Sequence, residues 1–156
     1  MLAIVRPAEW NLPLLLHVLG AMLLVGTLLV AVLAFAYGWR RDDAQQAITL
    51  NRLGWWTLLI GVLPSYVLMR IAAQWIYAEE FGDAGDDPGW VAIGYITTDL
   101  GALLLLIALI AAGIGARRIR RREGTSSALS RVAAVIAGLM LIAYLVAVWA
   151  MTVKPD

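Results

Sequence analysis

Runs of apolar residues too long for a globular core divide this chain into four segments, 12–37, 53–77, 90–116 and 132–151, separated by polar stretches. Each is at least about 20 residues long, which at 1.5 Å of rise per residue crosses a hydrocarbon layer of roughly 30 Å. In lipid every backbone N–H and C=O must find its partner inside its own segment, so each run predicts a spanning α-helix. The expected fold is all-α: a four-helix transmembrane bundle of up-down topology, one integral membrane domain over 1–156. The first run ends in Ala34-Phe35-Ala36, which resembles a signal-cleavage site. That run is far longer than the apolar region of about 7–15 residues in a signal peptide, and it is read as a retained helix.

The polar stretches differ in sign. Arg40, Arg41 and Arg52 lie between the first two runs, and Arg117, Arg118, Arg120, Arg121, Arg122 and Arg131 between the last two. The middle connection carries Glu79, Glu80, Asp83, Asp86 and Asp87 without a basic residue, and the ends contribute only Arg6 and Lys154. The positive-inside rule makes the arginine-rich loops cytoplasmic and both termini non-cytoplasmic. Tryptophans agree with that orientation, with Trp10, Trp75, Trp90 and Trp149 at expected outer ends and Trp39, Trp55 and Trp56 at inner ones. All but one of the 12 Lys+Arg residues are Arg, a bias of GC-rich bacterial genomes, so the expected location is the bacterial plasma (inner) membrane.

Composition removes several classes of chemistry. A net charge of +1, with the basic residues other than Arg70 beside the apolar runs, gives no footprint for nucleic acid. Without cysteine there are no disulfides, thiolate nucleophiles or iron–sulfur ligands. No phosphate-binding glycine loop, H-E-x-x-H or nucleophile elbow is present, which leans against an enzyme of the hydrolase or kinase kind. The acidic stretch 79–89 has oxygen donors around glycines but lacks the D-x-[DN]-x-[DN]-G order of a calcium loop, and it reads as a solvated turn. The run Arg117 to Arg122 reads as a stop-transfer signal, with anionic headgroups as the other partner, worth about 1 kcal/mol per basic residue.

Three ionisable groups remain inside the apolar runs: His17, Arg70 and Asp99. Helix rise places them roughly 9, 10 and 13 Å from the outer ends of their helices, at nearly one depth. Tyr66, Arg70 and Gln74 share a face at i, i+4 spacing, as do Tyr95 and Asp99, and Tyr144 of the last run falls at a similar level. Pro64, just below Tyr66, frees a backbone carbonyl and is expected to kink its helix. Ionisable groups in lipid mark ligand, ion or proton paths, and an Arg70–Asp99 pair between adjacent helices offsets much of their cost. His17 would then titrate, ligate a metal or heme iron, or hydrogen-bond to the pair, and the competing reading makes it a hydrogen-bonded structural histidine. These six, His17, Arg70, Asp99, Tyr66, Tyr144 and Gln74, form the candidate ligand-binding set, with His17 the candidate metal ligand. The competing reading makes Asp99 an interfacial helix N-cap and lets Arg70 snorkel into headgroups. Met22, Met69, Met140 and Met151 share no helix face with His17 at ligand spacing and read as packing.

Leu19-Gly20-Ala21-Met22-Leu23-Leu24 is similar to Leu100-Gly101-Ala102-Leu103-Leu104-Leu105, each followed by an arginine-rich loop, as a parallel duplication of a two-helix hairpin would produce. The stretch Leu16-His17-Val18-Leu19-Gly20-Ala21-Met22-Leu23-Leu24-Val25-Gly26 resembles the first helix of an uncharacterised family of small four-span bacterial integral membrane proteins. It also resembles the start of CopD-type copper-resistance proteins and of HemJ-type protoporphyrinogen oxidases. The latter resemblance implies heme b as a cofactor with His17 as the ligand candidate, although bis-histidine ligation needs a second histidine and the chain has 1. Three functions follow as expectations: binding of a small ligand or cofactor at the polar site, a part in transport, or a non-catalytic accessory or assembly role in a larger membrane complex. The last would use Ala134 and Gly138, a small-xxx-small pair suited to a homo-oligomer or another helix.

Overall fold

A computed structural model describes residues 11–80, 89–122 and 127–153. Among them α1 spans Asn11–Trp39 and α2 Ala44–Trp56, followed without a break by a π-helical segment, Thr57–Val62, and by α3, Leu63–Glu80. After the acidic connection come α4, Gly89–Arg122, and α5, Ala128–Val153. Since α2, the π segment and α3 form one rod, the chain builds 4 rods, each long and apolar enough to cross a membrane. It is a four-helix, multi-pass membrane bundle. The acidic connection 81–88, Arg6, Trp10 and Lys154 lie outside the described residues, and with them the expectations placed on that loop and on the chain ends.

The rods pack around a ring in chain order, α1 against α2 and α3, α2 against α4, α4 against α5, and α5 back against α1. Short connections between antiparallel helices dictate that order. One neighbouring pair is different. The backbones of α3 and α4 barely approach each other, and the second and third rods touch through α2 and the π segment, towards the arginine-rich end.

Burial follows from residue size. Leu24, Leu28, Ala31 and Phe35 make the buried stripe of α1 at four- and three-residue spacing, and the facing seams are alanines, Ala108 and Ala112 of α4 and Ala133 and Ala137 of α5. Lipid tails are as apolar as leucine, so helices associate by close packing, and small residues permit it. Met22, Ile60, Ile71, Ile96 and Ile142 are exposed on the outside of the bundle, where lipid is the solvent such residues need.

At the arginine-rich end the helices outrun the apolar segments. Asp43 caps α2, its carboxylate accepting from the backbone N–H of Gln45 at 2.7 Å and of Gln46 at 3.3 Å, which satisfies two orphan donors of the first turn. α4 continues helically through Arg117 to Arg121 because Ile119 is buried among them, and Arg131 lies over the Trp39 ring at 5.1 Å. Trp55, expected as an interfacial anchor, turns inward instead, its indole against Gly113.

The π segment explains what Pro64 does. Proline has no N–H, and its ring crowds the carbonyl four residues earlier, so an unbroken α-helix cannot pass through it unstrained. Here the preceding turn is wider, with the Leu63 N–H donating to the Leu58 carbonyl, five residues back. Ser65 adds a hydroxyl bond to the Gly61 carbonyl at 2.7 Å.

Candidate functional site

Away from the arginine-rich end, long polar side chains cross the gap between α3 and α4. Arg70 Nη2 lies 2.9 Å from Asp99 Oδ1. The guanidinium also sits over the Tyr95 ring, 4.8 Å from its centre, and Tyr77 meets the same ring edge-on at 5.4 Å. One turn further from the π segment the Tyr95 hydroxyl donates to Gln74 Oε1 at 3.4 Å, and one turn closer the Tyr66 hydroxyl donates to the Thr98 carbonyl at 3.3 Å. The i, i+4 faces of Tyr66, Arg70 and Gln74 and of Tyr95 and Asp99 therefore meet as a ladder. Tyrosine and arginine are long enough to connect helices whose backbones stay apart.

Asp99 is no helix cap, because α4 is already helical from Gly89. Its carboxylate is 66% exposed and the Arg70 side chain 29%, so the pair opens sideways to the surroundings of the bundle. Arg70 reaches across to a partner on α4.

Tyr144 approaches the same place from α5. It is 4% exposed, and its hydroxyl lies against Gly101, where a β-carbon would have no room. That hydroxyl has no hydrogen-bond partner among the described residues. Thus three side chains from two helices converge on one turn of α4: Tyr66 at Thr98, Arg70 at Asp99 and Tyr144 at Gly101.

His17 is not joined to this cluster. Its Nδ1 lies 3.2 Å from the Met69 carbonyl, and since a carbonyl only accepts, Nδ1 is the donor of that bond. One turn along α1, Gly20 sits directly on α3: a β-carbon there would come 2.7 Å from the Met69 nitrogen. His17-x-x-Gly20 is thus a crossing device in which the glycine admits the α3 backbone and the histidine clasps its carbonyl. Met69 faces α1 while Arg70, the next residue, faces α4, about 100° away around the helix.

Heme, which the resemblance of the first helix implies, does not fit these residues. The Gly20–Met69 contact closes the α1–α3 interface in the turn beside His17, and the chain offers no second histidine. No cluster of three or more His, Asp or Glu side chains able to hold a metal ion occurs among the described residues.

Sequence reasoning gave no role in the site to the Thr98 carbonyl or to Gly101 as the seat of Tyr144. Their i, i+3 spacing beside Asp99 is the one available signal, and it is weak because glycine is common in such helices. No protein-family model, curated protein or solved structure matches the chain. The likeness of residues 16–26 to other first helices stands on those residues alone.

Proposed function

We propose that this chain is a multi-pass protein of a bacterial inner membrane, its arginine-rich end cytoplasmic, that binds a small amphiphilic molecule in the outer half of the bundle. The ligand's polar head lies at the α4 turn formed by Thr98 to Gly101, and its apolar part lies along the gap between α3 and α4. The observation that carries this reading is the ladder itself, in which two neighbouring helices are held apart at the level of Arg70 and Asp99 and connected by exchangeable side-chain contacts. A bundle needing only stability would close that gap with small residues, as the alanine seams do elsewhere. The side opening suits a ligand arriving from the membrane.

The test is photolabelling in nanodiscs with three diazirine-tailed amphiphiles of equal chain length, headed by a carboxylate, an alcohol and a quaternary ammonium. Saturable labelling of α3 and α4 around residues 66–74 and 95–102 by at least one probe is the expected result. Labelling spread evenly over the lipid-facing surface, and unchanged by excess unlabelled probe, overturns it. The purified protein is expected to be colourless, without a Soret band.

An accessory role has one observation of its own: a β-carbon on Gly138 would meet nothing within 4 Å, so this small residue faces outwards, where another helix would find close approach. A shift in oligomeric state in Gly138→Leu would support that second reading.

A further inference from the structure

We infer that the bound head is an oxyanion with two accepting oxygens, and that Asp99 is its resident substitute, held by Arg70 until the ligand displaces it. This rests on the proposed binding site and adds the ligand's chemistry and the exchange.

The argument is a count of donors against acceptors. Arg70 presents five N–H donors in a planar fork. The structure uses one nitrogen on one oxygen of Asp99, while the face of the guanidinium lies on Tyr95. An arginine matched to its own carboxylate as a final partner makes the paired, fork-to-fork contact that this geometry favours. Here the contact seen runs from Nη2 to Oδ1, and the Asp99 side chain is two-thirds exposed. The Tyr144 hydroxyl adds an unspent donor in the dry interior, beside Gly101, two residues along α4 from Asp99. Buried hydroxyls are almost always bonded, so an orphan beside this turn calls for an acceptor that arrives from elsewhere. Donors therefore outnumber acceptors around this turn, and what completes it carries oxygens and negative charge.

Asp99 also answers the difficulty of the empty state. A lone guanidinium at this depth is costly, and a carboxylate on the opposite helix neutralises it. Because the Asp99 side chain is largely exposed on the outside of the bundle, it can leave Arg70 without crossing packed residues. Ligand binding is then an exchange of one carboxylate for another oxyanion, with the Arg70 charge neutralised in both states.

The exchange predicts an unusual sign. Asp99→Asn removes the competitor and the like charge, so affinity for a carboxylate-headed probe rises, by about fivefold for a partly exposed pair. Arg70→Gln abolishes that binding, and Tyr144→Phe weakens it by about fivefold, the effect of one hydrogen bond. A gain in affinity cannot come from misfolding, which keeps the Asp99 variant informative even if its stability falls. Competition against the diazirine carboxylate is read in nanodiscs of neutral lipid with three competitors: a long-chain carboxylate, phosphatidylglycerol and inorganic phosphate. Displacement by the long-chain acid alone assigns a carboxylate amphiphile, by phosphatidylglycerol an anionic lipid headgroup, and by phosphate a soluble anion. Each supports the oxyanion. Carboxylate affinity unchanged or lowered in Asp99→Asn overturns the exchange. If the alcohol probe labels the turn as well as the carboxylate does, in wild type and Arg70→Gln alike, the oxyanion fails while the binding site stands. If no probe labels it, both fall.

Discussion

α3 meets a neighbour on each side, and the two meetings are built on opposite principles. Towards α1 its backbone is pressed against Gly20, and the crossing is completed by one histidine-to-carbonyl bond. Towards α4 its backbone stands off, and every described contact is made by the far end of a tyrosine, arginine or glutamine. A backbone contact cannot rearrange without moving a whole helix. Ion pairs and hydroxyl bonds exchange partners by rotation of a side chain. One helix thus has a fixed side and an adaptable side, and the site falls on the adaptable one.

The sharpest way to break the comparison is to add bulk on the fixed side. Gly20→Leu drives a side chain into the Met69 backbone and is expected to cost about 3 kcal/mol, the upper part of the overpacking range, or to prevent folding. Unfolding in mixed micelles with rising SDS measures it, and a midpoint close to wild type would show that the interface yields. Next in size is the ion pair. Arg70→Ala and Asp99→Ala should each destabilise more than half as much as the double variant, with a coupling of about 1 kcal/mol from the mutant cycle. Zero coupling would mean that the two charges are separately solvated.

His17→Ala comes third, at about 0.6 kcal/mol, the average for hydrogen bonds between membrane helices. The loss is small because the carbonyl keeps its own α3 helical bond. A cycle between His17 and Arg70 should show additivity, since they lie on different faces of α3, and a coupling above about 0.5 kcal/mol would contradict their separation. The smallest effect is expected for Tyr66→Phe, at or below about 0.5 kcal/mol, because its bond to Thr98 is 3.3 Å long. A loss as large as that of Gly20→Leu would show the adaptable side to be as rigid as the other.

The fold was legible because length and apolarity are carried by many residues at once. No single position could mislead. Equal depth of Arg70 and Asp99 was legible too, since helix rise converts residue counts into height. Rotation about the helix axis was not. It depends on the π turn before Pro64, which no count of residues reveals, and on which face of α1 carries Gly20. Whether His17 joins the pair or serves as a structural histidine stayed open for that reason: depth was known and direction was not. The orphaned hydroxyl of Tyr144 lay equally out of reach, because an unmet bond is a property of surroundings and leaves no mark in the sequence.

A π turn holds one residue more than the α-helix it interrupts, so the rod through Thr57–Val62 has a phase as well as a length. Everything on α3 is clocked relative to α2 by that surplus residue, about 100° of azimuth. Removing one position from this stretch, with proline replaced, would leave α2 seated and turn Arg70 from Asp99 towards lipid, while bringing a different residue beneath Gly20. The bundle's two kinds of seam are therefore set by a single local offset, and an indel of one residue there would act as a rotary error.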